Sequence, residues 1–527
     1  MDLLLQKLQQ FFRERSIECY LVGGSLRDLL LGQQPQDLDL AVRGNPEPVA
    51  RALADELKGR YIALGLEKGV KRVILHKKPY SRFIIDIAPL HGEQIADDLS
   101  QRDFTINALA LSLEEAAALT TLPTQQQKPA PLIDPFNGWR DLHASTLRAV
   151  QPGVFQHDPL RLLRAIRLSA RRQLSIEPST ASLLHRDAPL LIRVTPARIR
   201  DELLQMTSLP NVAEAIRMLA AYQLFPAIFP AFYDSGNQVD CSKNWSPDRS
   251  AWSTLTCMAK LISASQGEAA SLTQIEQQIL APLLRLSNRP AFKKRWKKSP
   301  GGAHPRSVLH LQAALLSALL QAGGTPTSHL EGNTASPHPP EQLRLIAAAL
   351  KRLTMGRRAT AFIVFLLQEG LSPWKVEPRP QAGSSEPWIA ARHYFERFGE
   401  RGVDLACFCL ALQMSAPQQE PPDGGWLAQV QILTDLIEAY HYERDSIIPP
   451  SLIDGQTIIT RLDFMKGAAI GALLAQARKA QLDGIIQTRA EALQFIADHA
   501  SSSRGSVQQE VSGIGQNKNS ALKQSSE

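Results

Sequence analysis

Two carboxylates, Asp37 and Asp39, stand at alternate positions of the run DLDLAV, downstream of a glycine pair, Gly23-Gly24, and an arginine, Arg27. Alternate residues of a strand project from one face, so a strand here turns both carboxylates to the same side. Paired carboxylates can hold divalent metal ions roughly 3.5–4 Å apart, clamping the attacking and leaving oxygens of a phosphoryl displacement. Hard cations such as Mg²⁺ suit oxygen ligands and substrate phosphates. Gly23-Gly24 lacks Cβ atoms and lets backbone approach a triphosphate, and Arg27 adds charge-assisted donors. Each part alone is ordinary: a D-x-D is more often a solvated strand face, and a glycine pair only a turn. Their spacing together points to a nucleotide site.

The elements that must position these residues can be read on either side. Cys19 to Val22 reads as a short strand that Gly23-Gly24 ends, and Ser25 to Leu31 as a helix that Gly32 and Pro35 terminate. Residues 1–16 carry Leu4, Leu5, Leu8, Phe11 and Phe12 on one helical face, able to brace that strand. After Val42 come a helix from Pro46 to Lys58 and strands at Tyr61–Leu64, Lys71–His76 and Arg82–Ile87. Asp86 lies inside the apolar run FIIDIA, where a carboxylate needs a partner or a metal. A structural aspartate at a strand end fits equally well.

Two further stretches carry chemistry. In DDLSQRDFTINALAL (Asp97 to Leu111), Arg102-Asp103 can hydrogen-bond a ribose or a phosphate, while Asp98 and Ser100 can cap the segment after them. Taken alone the pair is a surface ion pair of little worth. In QHDPLRLLRAIRLSARRQ (Gln156 to Gln173), Asp158 reads as an N-cap with Pro159 at the first helical position. Arg161, Arg164 and Arg167 recur every third residue as a basic ridge, which a solvated helix face would also produce. Between these stretches, Leu113 to Pro131 reads as a loop, and Asp134-Pro135 with Asn137-Gly138 as a turn. His157-Asp158 spells a dipeptide of metal phosphohydrolases, whose chemistry needs further ligands such as His143 or His185.

GGSLRD followed by DLDLAV, then RDFTINALA, LIDPFNGWRDL and the HDPLR stretch, resembles the class II tRNA nucleotidyltransferase and bacterial poly(A) polymerase family. The resemblance implies that Asp37 and Asp39 bind the catalytic metals and that Gly24 and Arg27 hold the triphosphate. It implies that Arg102 and Asp103 contact the ribose and phosphates, and that Asp158 and Arg161 read the incoming base in place of a template. Arg164 and Arg167 would lie along the same ridge toward the phosphates, and Asp86 is a candidate third ligand. The chain departs from the family at Gln101 (a second Arg), Asn137 (a Gly) and His157 (a Glu that would orient the base-reading Arg). Members that make a whole CCA end carry a longer loop before the RDFTINALA segment. Here only Ile87 to Ala96 separates Asp86 from Asp97, as in members that add only two cytidines. Residues 451–498 resemble the family's tRNA-contacting tail, including the turn Gly467 to Gly471.

The 527 residues exceed one core. With 44% hydrophobic and 21% charged residues the composition is that of an ordinary globular protein, and a net charge of +7 favours a polyanionic partner. Five cysteines lack zinc spacing and give no disulfide framework, no run is long enough to span a membrane, and the N-terminus has no signal-peptide layout, so cytoplasm is the default. FKKRWKK (Phe292 to Lys298) could grip RNA by charge and stacking, or be a solvated helix end.

The expected fold is α+β: a small mixed-sheet nucleotidyltransferase head over residues 1–150, then all-α parts. These are a neck at 151–210, a body at 211–450, a tail at 451–500 and a disordered terminus at 501–527. The expected activity is addition of CMP and/or AMP from CTP and/or ATP, with Mg²⁺, to tRNA 3′ ends. Poly(A) polymerase and a non-catalytic tRNA-binding protein are the alternatives, and nothing in the sequence fixes an oligomeric state.

Overall fold

A computed structural model describes residues 2–35, 37–63, 69–76, 83–118, 129, 131–233, 253–268, 272–299, 304–322, 338–370, 389–415, 425–462 and 468–499. The chain divides into two compact units. One comprises Met1–Pro247 with Ala322–Gly324 and Ala348–Met355; the other comprises Asp248–Gln321, Thr325–Ala347 and Gly356–Glu527.

The first unit opens with helix α1 (Asp2–Glu14), whose face of Leu4, Leu5, Leu8, Phe11 and Phe12 is buried. Six strands follow within residues 19–112: β1 (Cys19–Val22), β2 (Asp37–Val42), β3 (Arg60–Ala63), β4 (Lys71–Ile74), β5 (Ile84–Pro89) and β6 (Ala110–Ser112). They form one sheet in the order β3-β4-β5-β2-β1-β6. Only β2 and β5 pair in parallel, so the sheet is mixed, as the sequence predicts. On β2, Leu38 and Leu40 are buried while Asp37 and Asp39 alternate with them toward the other face.

Helix α2 (Gly23–Leu30) begins at the glycine pair itself, two residues before its expected start. Gly23 has φ +71, and a Cβ there would lie 3.0 Å from both Asp39 Oδ2 and Arg102 Nη1. Only glycine meets both demands. Helix α3 (Pro46–Glu56) packs on β3, β4 and β5, its first turn capped by Asn45, which accepts from the Glu47 amide at 3.0 Å. Helix α4 (Ile95–Ser100) and a 3₁₀ turn at Thr105–Asn107 lead into β6.

The expected loop from Leu113 starts instead as helix α5 (Leu113–Ala118). It packs on α1 and β1, burying Leu113 and Ala116, contacts too distant in sequence to show in local periodicity. Residues 119–128 and 130 lie outside the described ones. The Asp134–Gly138 turn is the entry to helix α6 (Gly138–His143): Asp134 accepts from the Gly138 and Trp139 amides, and Asn137 sits at φ 58.

Helices α7 (Val154–His157), α8 (Arg161–Arg172), α9 (Pro178–Asp187), α10 (Pro196–Met206) and α11 (Val212–Ala221) continue the unit, with α8 packed against α10 and α11. Asp158 does not cap α8: Leu160 occupies that position, and Asp158 is extended at the end of α7.

In the second unit every element among the described residues is helical. The helix Pro290–Lys297 corrects one expectation about RNA stacking. Trp296 is fully buried, edge-on to His310 at 5.2 Å, and Arg295 is buried against Asp404 at 2.7 Å, whereas Lys293, Lys294, Lys297 and Lys298 are exposed. In the tail, Gly471 lies inside the helix Ala468–Leu482 with open space beside it, and Gly467 falls outside the described residues. None of the described helices is long and apolar enough to cross a membrane.

Candidate active site

The strand register brings the acidic residues together. Asp39 lies opposite Val22 on β1 and opposite Asp86 on β5. Asp86 receives a two-pronged contact from Arg72 on β4, both bonds at 2.7 Å. Burial pushes the Asp39 carboxyl up to about 6, with the charges of Asp37 and Asp86 adding and Arg102 opposing. Asp37 is shifted the same way by partial desolvation and by Asp86 and Asp28. A negative site that resists its own ionisation is one a cation would relieve. The donor set is all oxygen, which suits a hard divalent ion held by Asp37 and Asp39. Among the described residues, no three His, Cys, Asp or Glu side chains converge as a metal cage.

Asp39 and Asp86 border an open cleft of about 1030 Å³, whose lining does not include Asp37. Its lining brings together Gly23, Gly24, Asp39, Asp86, Arg102, Asp103, Asn107, Asp158, Arg161 and Arg164. Arg102 is held by Asp98 at 2.9 Å. Asp103 is buried, yet its carboxyl stays below the usual range: burial would raise it, but Arg164, Asn107, Arg161 and the Phe104 amide outweigh that. Arg164 reaches Asp103 at 2.9 Å, tying α8 to the segment after α4. Arg161 donates to the carbonyls of Gln101 and Arg102, the shorter bond at 2.6 Å. Asp158 accepts from Arg198 on α10 at 2.8 Å.

Two expected contacts lie elsewhere. Arg27 is buried, and its guanidinium donates to Asp28 and Asn107 beneath Gly24; it does not line the cleft. Arg167 is also away from the cleft, paired with Glu202 of α10 at 2.6 Å. The reason is helical geometry. Steps of three residues turn about 60° back around the axis, so Arg161, Arg164 and Arg167 fan toward three different partners instead of forming one ridge. His157 is exposed at the end of α7, and Arg161, which a Glu there would orient, is held instead by the carbonyls of Gln101, Arg102 and Val154; Asp158 accepts from Arg198, a residue whose sequence context gives no signal.

The connection before α4 is tightly held. Asp97 accepts from the Glu93 and Gln94 amides at 2.9 Å each, and Arg43 donates to the Glu93 carbonyl at 2.9 Å. Gly92, at φ +83, packs so closely on Asp97 that a Cβ would collide at 2.3 Å.

Residues 19–148 match the "Poly A polymerase head domain" family, and residues 173–234 match the "Probable RNA and SrmB-binding site of polymerase A". The CC-adding tRNA nucleotidyltransferase of Geobacter sulfurreducens is 28% identical over 92% of this chain and 93% of its own length. Poly(A) polymerase I of Haemophilus influenzae is 30% identical over 43% of this chain and 50% of its own. The fold is similar to that of the Thermotoga maritima CCA-adding enzyme solved with tRNA. The TM-score is 0.57, at 21% identity over 94% of this chain and 95% of that one.

Proposed function

Because this chain belongs to the family of tRNA nucleotidyltransferases and bacterial poly(A) polymerases, we propose that it extends tRNA 3′ ends without a template, releasing pyrophosphate. The observation that carries this reading is the cleft itself, whose lining joins the strand carboxylates Asp39 and Asp86 with Asp158, Arg161 and Arg164. Enzymes of this family use a divalent metal, and Mg²⁺ is the ion we assign to Asp37 and Asp39. When bound it would neutralise charge on the reacting phosphoryl group. Gly23-Gly24 lets the triphosphate approach backbone above the buried Arg27 charge, and Arg102 and Asp103 hold ribose and phosphate. Asp158 and Arg161 present acceptor and donor edges to the base, so protein side chains do the selecting. Positioning and fixed charge account for the chemistry required.

CTP is the favoured substrate. A switch from CTP to ATP needs slack next to the site, and the clamped residues 90–94 supply little. We therefore propose a CC-adding enzyme working in the cytoplasm. The test is incubation with tRNA ending at its discriminator base, with CTP alone, ATP alone and both, followed by sequencing of the product ends. Two added cytidines with CTP, and poor use of ATP, are the expected result. A rapid complete CCA end makes it CCA-adding; long adenosine tracts make it a poly(A) polymerase; no incorporation by the wild type overturns the enzyme reading.

A further inference from the structure

One buried amide joins two parts of the cleft that lie far apart in the sequence. Asn107 ends the 3₁₀ turn after Arg102-Asp103 and lines the cleft, almost wholly buried. Its Oδ1 accepts from Arg27 Nη1, and its Nδ2 donates to Asp103 Oδ1 at 2.9 Å. The orientation of the amide is forced, because a guanidinium can only donate and an ionised carboxylate can only accept. A carboxamide meets both demands at one position. Aspartate would keep the bond to Arg27 but set like charges against Asp103; alanine would lose both bonds.

The amide closes a ring of side chains that starts and ends on α8. Arg164 holds Asp103, Asp103 accepts from Asn107, and Asn107 accepts from Arg27. Arg27 donates to Asp28, and Asp28 accepts from Arg172 at the end of α8, at 2.6 Å. The backbone beneath Asn107 is fixed by other contacts. Thr105 Oγ1 donates to Asp141 at 2.7 Å, and Gly138 packs where a Cβ would lie 2.1 Å from the Thr105 carbonyl. Losing the amide therefore removes the ring's closure and leaves the turn in place.

We infer that Asn107 is a positioning residue that sets the ribose-reading carboxylate of Asp103 and the Arg27 charge beneath Gly24 in one fixed relation. Nucleotide selection at the sugar then depends on a residue that need not touch the sugar. The inference rests on the nucleotide-site reading above.

The test compares CTP with 2′-deoxy-CTP on tRNA lacking its CCA end, for wild type, Asn107→Ala and Asn107→Asp, with melting temperature and KM for tRNA measured alongside. The wild type should prefer the ribonucleotide. Both variants should lose about tenfold or more of that preference and raise KM for CTP by a similar factor, as loss of a hydrogen bond to a charged group implies. KM for tRNA should not move, and Asn107→Asp, nearly the same shape, should melt within a few degrees of wild type. If Asn107→Ala fails to fold, Asn107→Asp decides. A ribose preference within about twofold of wild type in the folded variants overturns the inference. Failure of the wild type to incorporate either nucleotide is a different result and overturns the function instead.

Discussion

Asp39 must be ionised to hold a cation, yet its surroundings favour the proton. Its carboxyl titrates at about 6 instead of near 3.9, so the folded chain binds this proton more readily than the unfolded chain does. Between those pH values stability falls as pH rises, and the deficit is complete above pH 6. Asp39→Asn should therefore add no nucleotide, yet in the absence of metal at pH 7 it should be more stable than wild type, by about 1–3 kcal/mol. Thermal melts should show that gain closing below pH 4. A variant no more stable than wild type at pH 7 would mean that the site bears no such strain. At this scale the sequence was legible where residue types recur in a pattern. Asp39, Arg102, Asp103, Asp158 and Arg161, which the structure brings into one cleft, could all be read as candidates from the sequence. Asn107 could not, because one amide in an apolar run has no periodicity, and its meaning lies in Arg27, eighty positions away.

Helix α8 shows what spacing alone cannot convey. Its arginines were visible as a repeat, but which partner each meets depends on α10 and on the segment after α4, and those contacts are set by packing. The Arg167–Glu202 pair is the clearest case, since both side chains are buried between α8 and α10. Removing one partner strands a charge, so Arg167→Leu should lower stability by about 3–5 kcal/mol. The double variant Arg167→Met with Glu202→Leu should recover most of that loss, measured by denaturant unfolding. If the double variant is as unstable as the single, the pair is not the source of the effect. The strands were legible for a simpler reason: β1 and β5 are mostly apolar runs and β2 alternates aspartate with leucine. Helix α5 was not, because its apolar face is short and is completed by α1.

For the whole molecule, the basic excess has one surface outlet that can be tested. Lys293, Lys294 and Lys297 are exposed on one short helix and Lys298 just past its end, while Arg295 is neutralised inside the second unit. Replacing the four lysines with glutamine should weaken tRNA binding. The slope of log K against log salt should drop by roughly 0.7–0.9 for each lysine–phosphate pairing removed. Arg295→Ala should instead destabilise the fold by leaving Asp404 buried with one charge fewer beside it. An unchanged slope in the lysine variant would make that face merely solvated. The strand order, finally, has a consequence for how the protein comes off the ribosome. Asp39 and Asp86 meet only once β5 has docked beside β2, after about 89 residues have emerged, and β1 stays an open edge until β6 arrives at residues 110–112. The Arg161 and Arg164 part of the cleft lining depends on α8, which is synthesised some fifty residues later still. At 5–20 residues per second, roughly, the acidic half of the site can exist for seconds before its basic half does. During translation, then, the proposed metal ligands could be in place well before the proposed nucleotide contacts on α8.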